Sequence, residues 1–138
     1  VSFVVDNSVA ITWCIEDELT PATKALLDQV TATGASAPQL WPLEALNSLM
    51  TAERRGRITA QQRRRLVGFL EQLPINIDAE TASRVWGATA QLAEHYRLTA
   101  YDAAYLELAL RLGLPLGTRD KALAGAAHAA GVTVLPAE

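Results

Sequence analysis

Cysteine is almost missing from this chain: Cys14 is the only one in 138 residues. No intramolecular disulfide can form and no cysteine-based metal site can be built, so a reducing cytoplasm is the expected compartment. Cys14 itself reads as a small core hydrophobe. Long apolar runs are missing too. Val1-Ser2-Phe3-Val4-Val5 stops at Asp6, too short for a signal peptide's apolar region and far below the roughly 20 residues that cross a bilayer, so no membrane association is expected. Positive charge is not in excess, because 12 Lys and Arg face 15 Asp and Glu for a formal net charge of -3. A surface that is basic overall is excluded, although half of the cations are the arginines between Arg54 and Arg65. A nucleic acid would feel that local cluster and not the net charge.

What remains has the balance of a globular protein, 50% hydrophobic and 20% charged, and residues 1–138 fit a single domain without repeat, linker or low-complexity tract. The chain opens on Val1 without an initiating Met, as a trimmed chain would.

Short apolar runs alternate with helix-periodic stretches, the rhythm of an α/β domain. Residues 2–5 predict the first strand, and Ser8 a cap for a short helix carrying Val9, Ile11, Trp13 and Ile15. Thr20 and Pro21 open a second helix that ends near Gly34. Ala35 to Leu40 predicts a strand or extended link. Pro42 opens a third helix whose Leu43, Leu46, Leu49 and Met50 should face a core, with Gly56 as its stop. Thr59 and Gln62 form a capping box for a fourth, with Leu66, Phe69, Leu70 and Leu73 as its buried stripe. After a short strand at residues 75–77, Ala82, Val85, Trp86, Thr89, Leu92, Ala93 and Tyr96 repeat with helical period. A largely apolar, central helix starts at Thr99 and Asp102 and closes at Gly113. Two last strands, at residues 115–118 and 132–135, enclose an Ala-rich helix stopped by Gly131.

Four acids stand out by position. Asp6 follows the first strand, Glu44 and Asp102 lie in first turns of helices, and Asp120 follows a late strand. In an open parallel sheet, strand carboxyl ends and helix N-termini share one edge, so these acids can converge on one crevice. Such a cluster must share protons or be neutralised by a hard divalent cation, and oxygen-only ligands favour Mg²⁺ or Mn²⁺ over zinc. An ion held there can activate water and screen a phosphodiester, which is hydrolytic nuclease chemistry. Each acid also has a local explanation: Asp102 completing a capping box with Thr99, Asp120 an N-cap, Glu44 facing a helix dipole, Asp6 closing an Asx turn.

The run Val4-Val5-Asp6-Asn7-Ser8 resembles the opening strand and Asp-x-Ser motif of PIN domains. Pro38 through Leu49, with Glu44 and Asn47, resembles their Pro…Glu-x-x-Asn helix. Leu98 through Leu106 is similar to the Leu-Ser/Thr-x-Tyr-Asp-Ala-x-Tyr-Leu signature of VapC-like members, and Gly117 through Leu123 to their Thr-x-Asp-x-x-Leu motif. The resemblance runs from Val4 to Pro136. It implies a three-layer α/β/α sandwich on a short, mostly parallel sheet, and a Mg²⁺- or Mn²⁺-dependent endoribonuclease that inhibits translation as the toxin of a VapBC-type toxin–antitoxin pair. Asp6, Glu44, Asp102 and Asp120 would bind metal, with Ser8 and Thr118 as supporting hydroxyls and Asn47 ordering the acids from behind. It further implies a homodimer silenced by a VapB-like antitoxin, for which Trp13, Ile15 and Leu19 offer an apolar docking surface.

Arg119 and Lys121, beside Asp120, are the best candidates for RNA phosphate contacts, followed by Arg54, Arg55 and Arg57. Arg63, Arg64 and Arg65 extend that basic block, whose alternative is a solvated helix hairpin. Of the tryptophans, Trp86 is expected in the core, while Trp13 and Trp41 border the crevice. His95 and His128 read as ordinary helix or surface histidines. Two other functions compete: a non-catalytic RNA-binding module, and a Mg²⁺-dependent phosphatase or phosphotransferase with Asp6 as nucleophile. Against the latter, Ser8 stands where a second acid is expected.

Overall fold

The computed structural model describes residues 2–137. Its sheet holds five strands, β1 (Val4–Val5), β2 (Ala35–Ala37), β3 (Ile75–Ile77), β4 (Leu116–Gly117) and β5 (Val134–Leu135), in the order β3-β2-β1-β4-β5. Every pairing is parallel, with Val4 opposite Ser36 on one side and Leu116 on the other. Helices cover both faces, which gives the three-layer sandwich: α1 (Asn7–Ala10), α2 (Pro21–Thr33), α3 (Trp41–Arg54), α4 (Ala60–Gln72), α5 (Thr81–Arg84), α6 (Ala90–Tyr96), α7 (Ala100–Leu112) and α8 (Lys121–Ala129). No helix among the described residues is long and apolar enough to cross a membrane.

The topology makes the crevice. From β1 the chain builds outward through β2 to β3, then returns to add β4 and β5 on the other side of β1. The direction of building reverses between β1 and β4, and a parallel sheet opens a cleft at its carboxyl edge at such a point. Phe3, Val4, Val5, Leu106, Leu108, Leu116 and Leu123 are fully buried in the core. Gly117 lets β4 approach β1 closely, since a Cβ there would lie 2.8 Å from the Phe3 ring.

Local signals hold well. Thr20 and Thr59 form reciprocal capping boxes, Thr99 accepts from the Asp102 N–H, and Gly34, Gly113 and Gly131 sit at positive φ just after their helices. The cap of α1 differs from expectation: it is Asp6, accepting from the Val9 N–H, and not Ser8.

Burial differs more. On α3 the inward stripe is Trp41, Ala45, Leu49 and Ala52, leaving Leu43 and Leu46 exposed. Two apolar stripes compete on that helix, and the one bearing the large indole wins the core. The apolar side chains of α4 are only half-buried. Between α5 and α6 the helix loosens into a π turn at Val85–Thr89. The wider turn breaks the 3.6-residue phase on which a buried Trp86 depends. The tryptophans are therefore inverted relative to expectation: Trp86 is 92% exposed, while Trp13 and Trp41 are buried. Trp13 donates its indole N–H to the Thr23 carbonyl at 2.8 Å. Ile15 joins it in the core, so of the expected docking residues only Leu19 reaches the surface. Cys14 is half-buried, and burial pushes its thiol up to about 11.

Candidate active site

Asp6 occupies the switch point as the first residue after β1, with 5% of its surface exposed. Its Oδ1 accepts from the Ser8 hydroxyl at 2.6 Å and from the Val9 N–H at 3.2 Å. Its Oδ2 accepts from the Thr118 hydroxyl, which arrives from the end of β4. A carboxylate offers about four lone pairs, so three donors hold Asp6 in place and leave one acceptor direction open. Burial nevertheless dominates, and raises its pKa from the usual 3.8 to about 6 against these three hydrogen bonds; the negative charge of Asp102 pushes the same way.

Ser8 and Thr118 do more than support Asp6. The Ser8 Oγ accepts from the Arg119 N–H at 2.8 Å, and the Thr118 Oγ1 accepts from the Asp120 N–H at 3.0 Å. The two hydroxyls thus tie the loop carrying Arg119 and Asp120 to the end of β1. Asp120 in turn caps α8, its Oδ1 accepting from the Leu123 N–H at 3.0 Å. The cap uses only one oxygen of the carboxylate.

Asp102 is half-buried in the first turn of α7. Burial is the main cause raising its pKa, followed by the charges of Asp120 and Glu44. Glu44, in the first turn of α3, accepts a hydrogen bond from the Tyr105 hydroxyl. Tyr105 is buried, and its own pKa is raised, first by burial and then by Glu44, with Asp6 and Asp102 adding to it. The four acids therefore share one electrostatic field, although no three Asp, Glu, His or Cys side chains among the described residues form a ready metal cage.

Other expected residues fall elsewhere. Asn47 is exposed on α3 and lines a shallow cavity with Ile11, Thr51 and Arg55. Ser48, its neighbour, is the α3 residue that reaches the end of β1, accepting from the Asn7 amide at 2.7 Å. Arg57 is engaged by Asp17 and Glu18, both at 3.1 Å, and Arg63 by Glu53. Arg54, Arg55, Arg119 and Lys121 are exposed. Sequence reasoning missed Tyr105 and Asn7; both stand inside the quoted motifs, one helical turn after Asp102 and immediately after Asp6.

An acidic cleft at the reversal of a parallel sheet, floored by a buried, hydroxyl-held aspartate and edged by helix N-termini, defines a class of α/β domains equipped for hydrolytic or phosphate-directed chemistry. The chain belongs to the PIN domain family, whose model matches residues 3–129. No curated protein matches it closely by sequence. Among solved structures it is similar to a protein of Pyrobaculum aerophilum, with 25% identity and TM-score 0.70, covering 98% of this chain and 84% of that one. It shares its fold with VapC20 of Mycobacterium tuberculosis, a sarcin-ricin loop cleaving toxin (14% identity, TM-score 0.64, 91% and 95% covered). The same holds for a toxin–antitoxin complex from Klebsiella pneumoniae (20%, 0.56, 89% and 91%).

Proposed function

We propose that this chain is a divalent-metal-dependent endoribonuclease and the toxin of a VapBC-type pair. The observation carrying the reading is a buried Asp6 at the switch point of a PIN-family fold, held by the Ser8 and Thr118 hydroxyls and within electrostatic reach of Asp102, which in turn feels Asp120 and Glu44. Carboxylates brought to one edge of the sheet, with only oxygen donors around them, fit a hard cation such as Mg²⁺ or Mn²⁺. Asp6, Glu44, Asp102 and Asp120 would hold it. A divalent ion supplies charge to a phosphodiester and lowers the pKa of water.

The chain's own groups do the rest. The Ser8 and Thr118 hydroxyls keep Asp6 oriented with one acceptor direction free. The Tyr105 hydroxyl fixes the Glu44 carboxylate. The N-termini of α3, α7 and α8 add partial positive charge where a phosphate would approach. Arg119 and Lys121 flank Asp120 and are free to contact the RNA backbone, whereas Arg57 would first have to leave Asp17 and Glu18. A toxin of this kind fits an antitoxin partner that inserts an Arg or Lys among the acids, and it is expected to work as a homodimer.

Sequencing RNA ends after brief expression of the wild type beside Asp6→Ala tests the reading. Metal-assisted attack by water leaves a 5′-phosphate and a 3′-hydroxyl, only with the wild type. Recovery of a 2′,3′-cyclic phosphate would mean that the ribose hydroxyl attacks, and the mechanism would be wrong. Cleavage or growth inhibition indifferent to both EDTA and Asp6→Ala would favour a non-catalytic binder.

A further inference from the structure

Three of the four acids follow a residue that is open to solvent. Glu44, Asp102 and Asp120 are preceded by Leu43, Tyr101 and Arg119. Successive helical residues point roughly 100° apart, so on α3 and α7 an acid turned into the cleft sends its predecessor to the side. Leu43 is 72% exposed and Tyr101 66% exposed, and Arg119 is exposed as well. A bare aromatic ring in the first turn of a helix is costly to leave in water, and core packing does not account for it.

Tyr101 has a defined place. It lies four residues before Tyr105, on the same helical stripe, and the Tyr105 hydroxyl marks where that stripe meets Glu44. Side chains on a helix lean toward its N-terminus, so the Tyr101 ring stands one turn nearer the amino end of α7 than Tyr105 and is open to solvent. We infer that Tyr101 is a substrate-contact residue on which an unpaired nucleobase stacks, next to the phosphodiester brought to the acids. Leu43 supplies apolar contact on the α3 side and Arg119 a partner for a neighbouring phosphate. A stacked base, a phosphate and an apolar edge together match one nucleotide of a single strand. A purely apolar peptide would bury Arg119 and the acids without partners.

This inference rests on the nuclease reading, and one set of experiments separates the two. The probe is a short single-stranded oligoribonucleotide with Mn²⁺, cut by the full chain. Tyr101→Ala should raise KM about 5- to 160-fold with kcat nearly unchanged, the range set by base–aromatic stacking. Tyr101→Phe and Tyr101→Trp, which keep a π face, should recover most of that loss. Fluorescence anisotropy with the same RNA should show the same weakening when Tyr101→Ala is added to an inactive Asp6→Asn background. Trp86→Ala is the control: Trp86 is more exposed still, but its neighbours Arg84 and Ala88 line a cavity with Leu110 and Arg111, toward the other end of α7. It should leave KM unchanged. An unaltered KM and anisotropy for Tyr101→Ala overturn the stacking role while the nuclease reading stands. A loss of equal size in Tyr101→Phe overturns it in favour of the hydroxyl. A changed molecular mass with RNA binding retained assigns Tyr101 to a protein contact instead. If the wild type neither binds nor cuts RNA, the nuclease reading falls and the stacking role falls with it.

Discussion

The two ends of α7 treat negative charge in opposite ways. At its carboxyl end Arg111, largely buried, gathers Asp78 at 2.6 Å, Glu107 at 2.9 Å and Glu80 at 3.5 Å. Its hydrogen bonds to Glu107 and Asp78 raise the guanidinium pKa, and the same contact lowers that of Asp78. At the amino end Asp102 faces Glu44, Asp120 and Asp6 with no Lys or Arg among the ion pairs of the described residues. In one cluster every carboxylate is ion-paired within the chain, by Arg111 and, at Glu80, also by Arg84, and the pairing serves the fold. The other keeps its charge deficit, which is what a site for an external cation and a phosphate requires.

The largest expected effect tests the end without ion pairs. Asp6→Ala or Asp102→Asn should lower RNA cleavage on the order of 10³-fold or more, since several kcal/mol of transition-state stabilisation are at stake; a gel-based cleavage assay reads it. The ion-paired end should answer in stability. Arg111→Met strands Asp78 and Glu107 in the protein interior and should cost about 3–5 kcal/mol in urea unfolding, with cleavage per folded molecule retained. Full stability in that variant would erase the contrast.

The pH dependence has opposite signs at the two ends. For Asp6 the folded pKa of about 6 lies above the usual 3.8, so the folded state binds more protons and stability falls as pH rises between about 4 and 6. For Asp78 the folded pKa is lowered, so its contribution is present at neutral pH and fades as acid protonates it. Asp6→Asn should therefore be more stable than wild type at pH 8, by about 3 kcal/mol at most, and lose that advantage at pH 4. Added Mg²⁺ should close the gap by raising the wild-type melting temperature alone. A variant less stable than wild type at pH 8 would show that the Ser8 and Thr118 hydroxyls outweigh burial.

Smaller effects sharpen the boundary of the site. Gly117→Ala pushes a methyl against the Phe3 ring and should cost about 1–3 kcal/mol, shifting Thr118 relative to Asp6 and slowing cleavage; calorimetry and the cleavage assay read the two consequences. Trp86→Ser, at a surface position away from the acids, should change stability by no more than about 0.5 kcal/mol. A larger change measured in dilute solution would mean that Trp86 is covered by something.

Much of this was legible along the chain. Thr20, Thr59 and Thr99 announce helix starts by chemistry confined to three or four residues, and Gly34 and Gly113 announce ends in the same way. The acids were legible as positions, each at a strand end or in a first helical turn. Contacts between distant segments were not. Glu107 and Arg111 are four apart and readable as a pair, but Asp78 lies 33 residues from Arg111 and carries no local sign of its partner. The Tyr105 hydroxyl on Glu44 spans 61 residues. The tryptophans were misjudged because periodicity names a stripe without saying which of two stripes turns inward, and because a π turn leaves no clear mark in composition.

Sequence alone determined the alternation of strand and helix, the threonine caps of α2, α4 and α7, and the placing of Asp6, Glu44, Asp102 and Asp120 where such elements meet. These depend on hydrogen bonds and apolar spacing within a turn or two of the residue concerned. Only the tertiary structure decided which acids lie in one field, which are matched by Arg111, and which aromatic rings face water, because fields and burial depend on distances through space between segments that the order of residues leaves open.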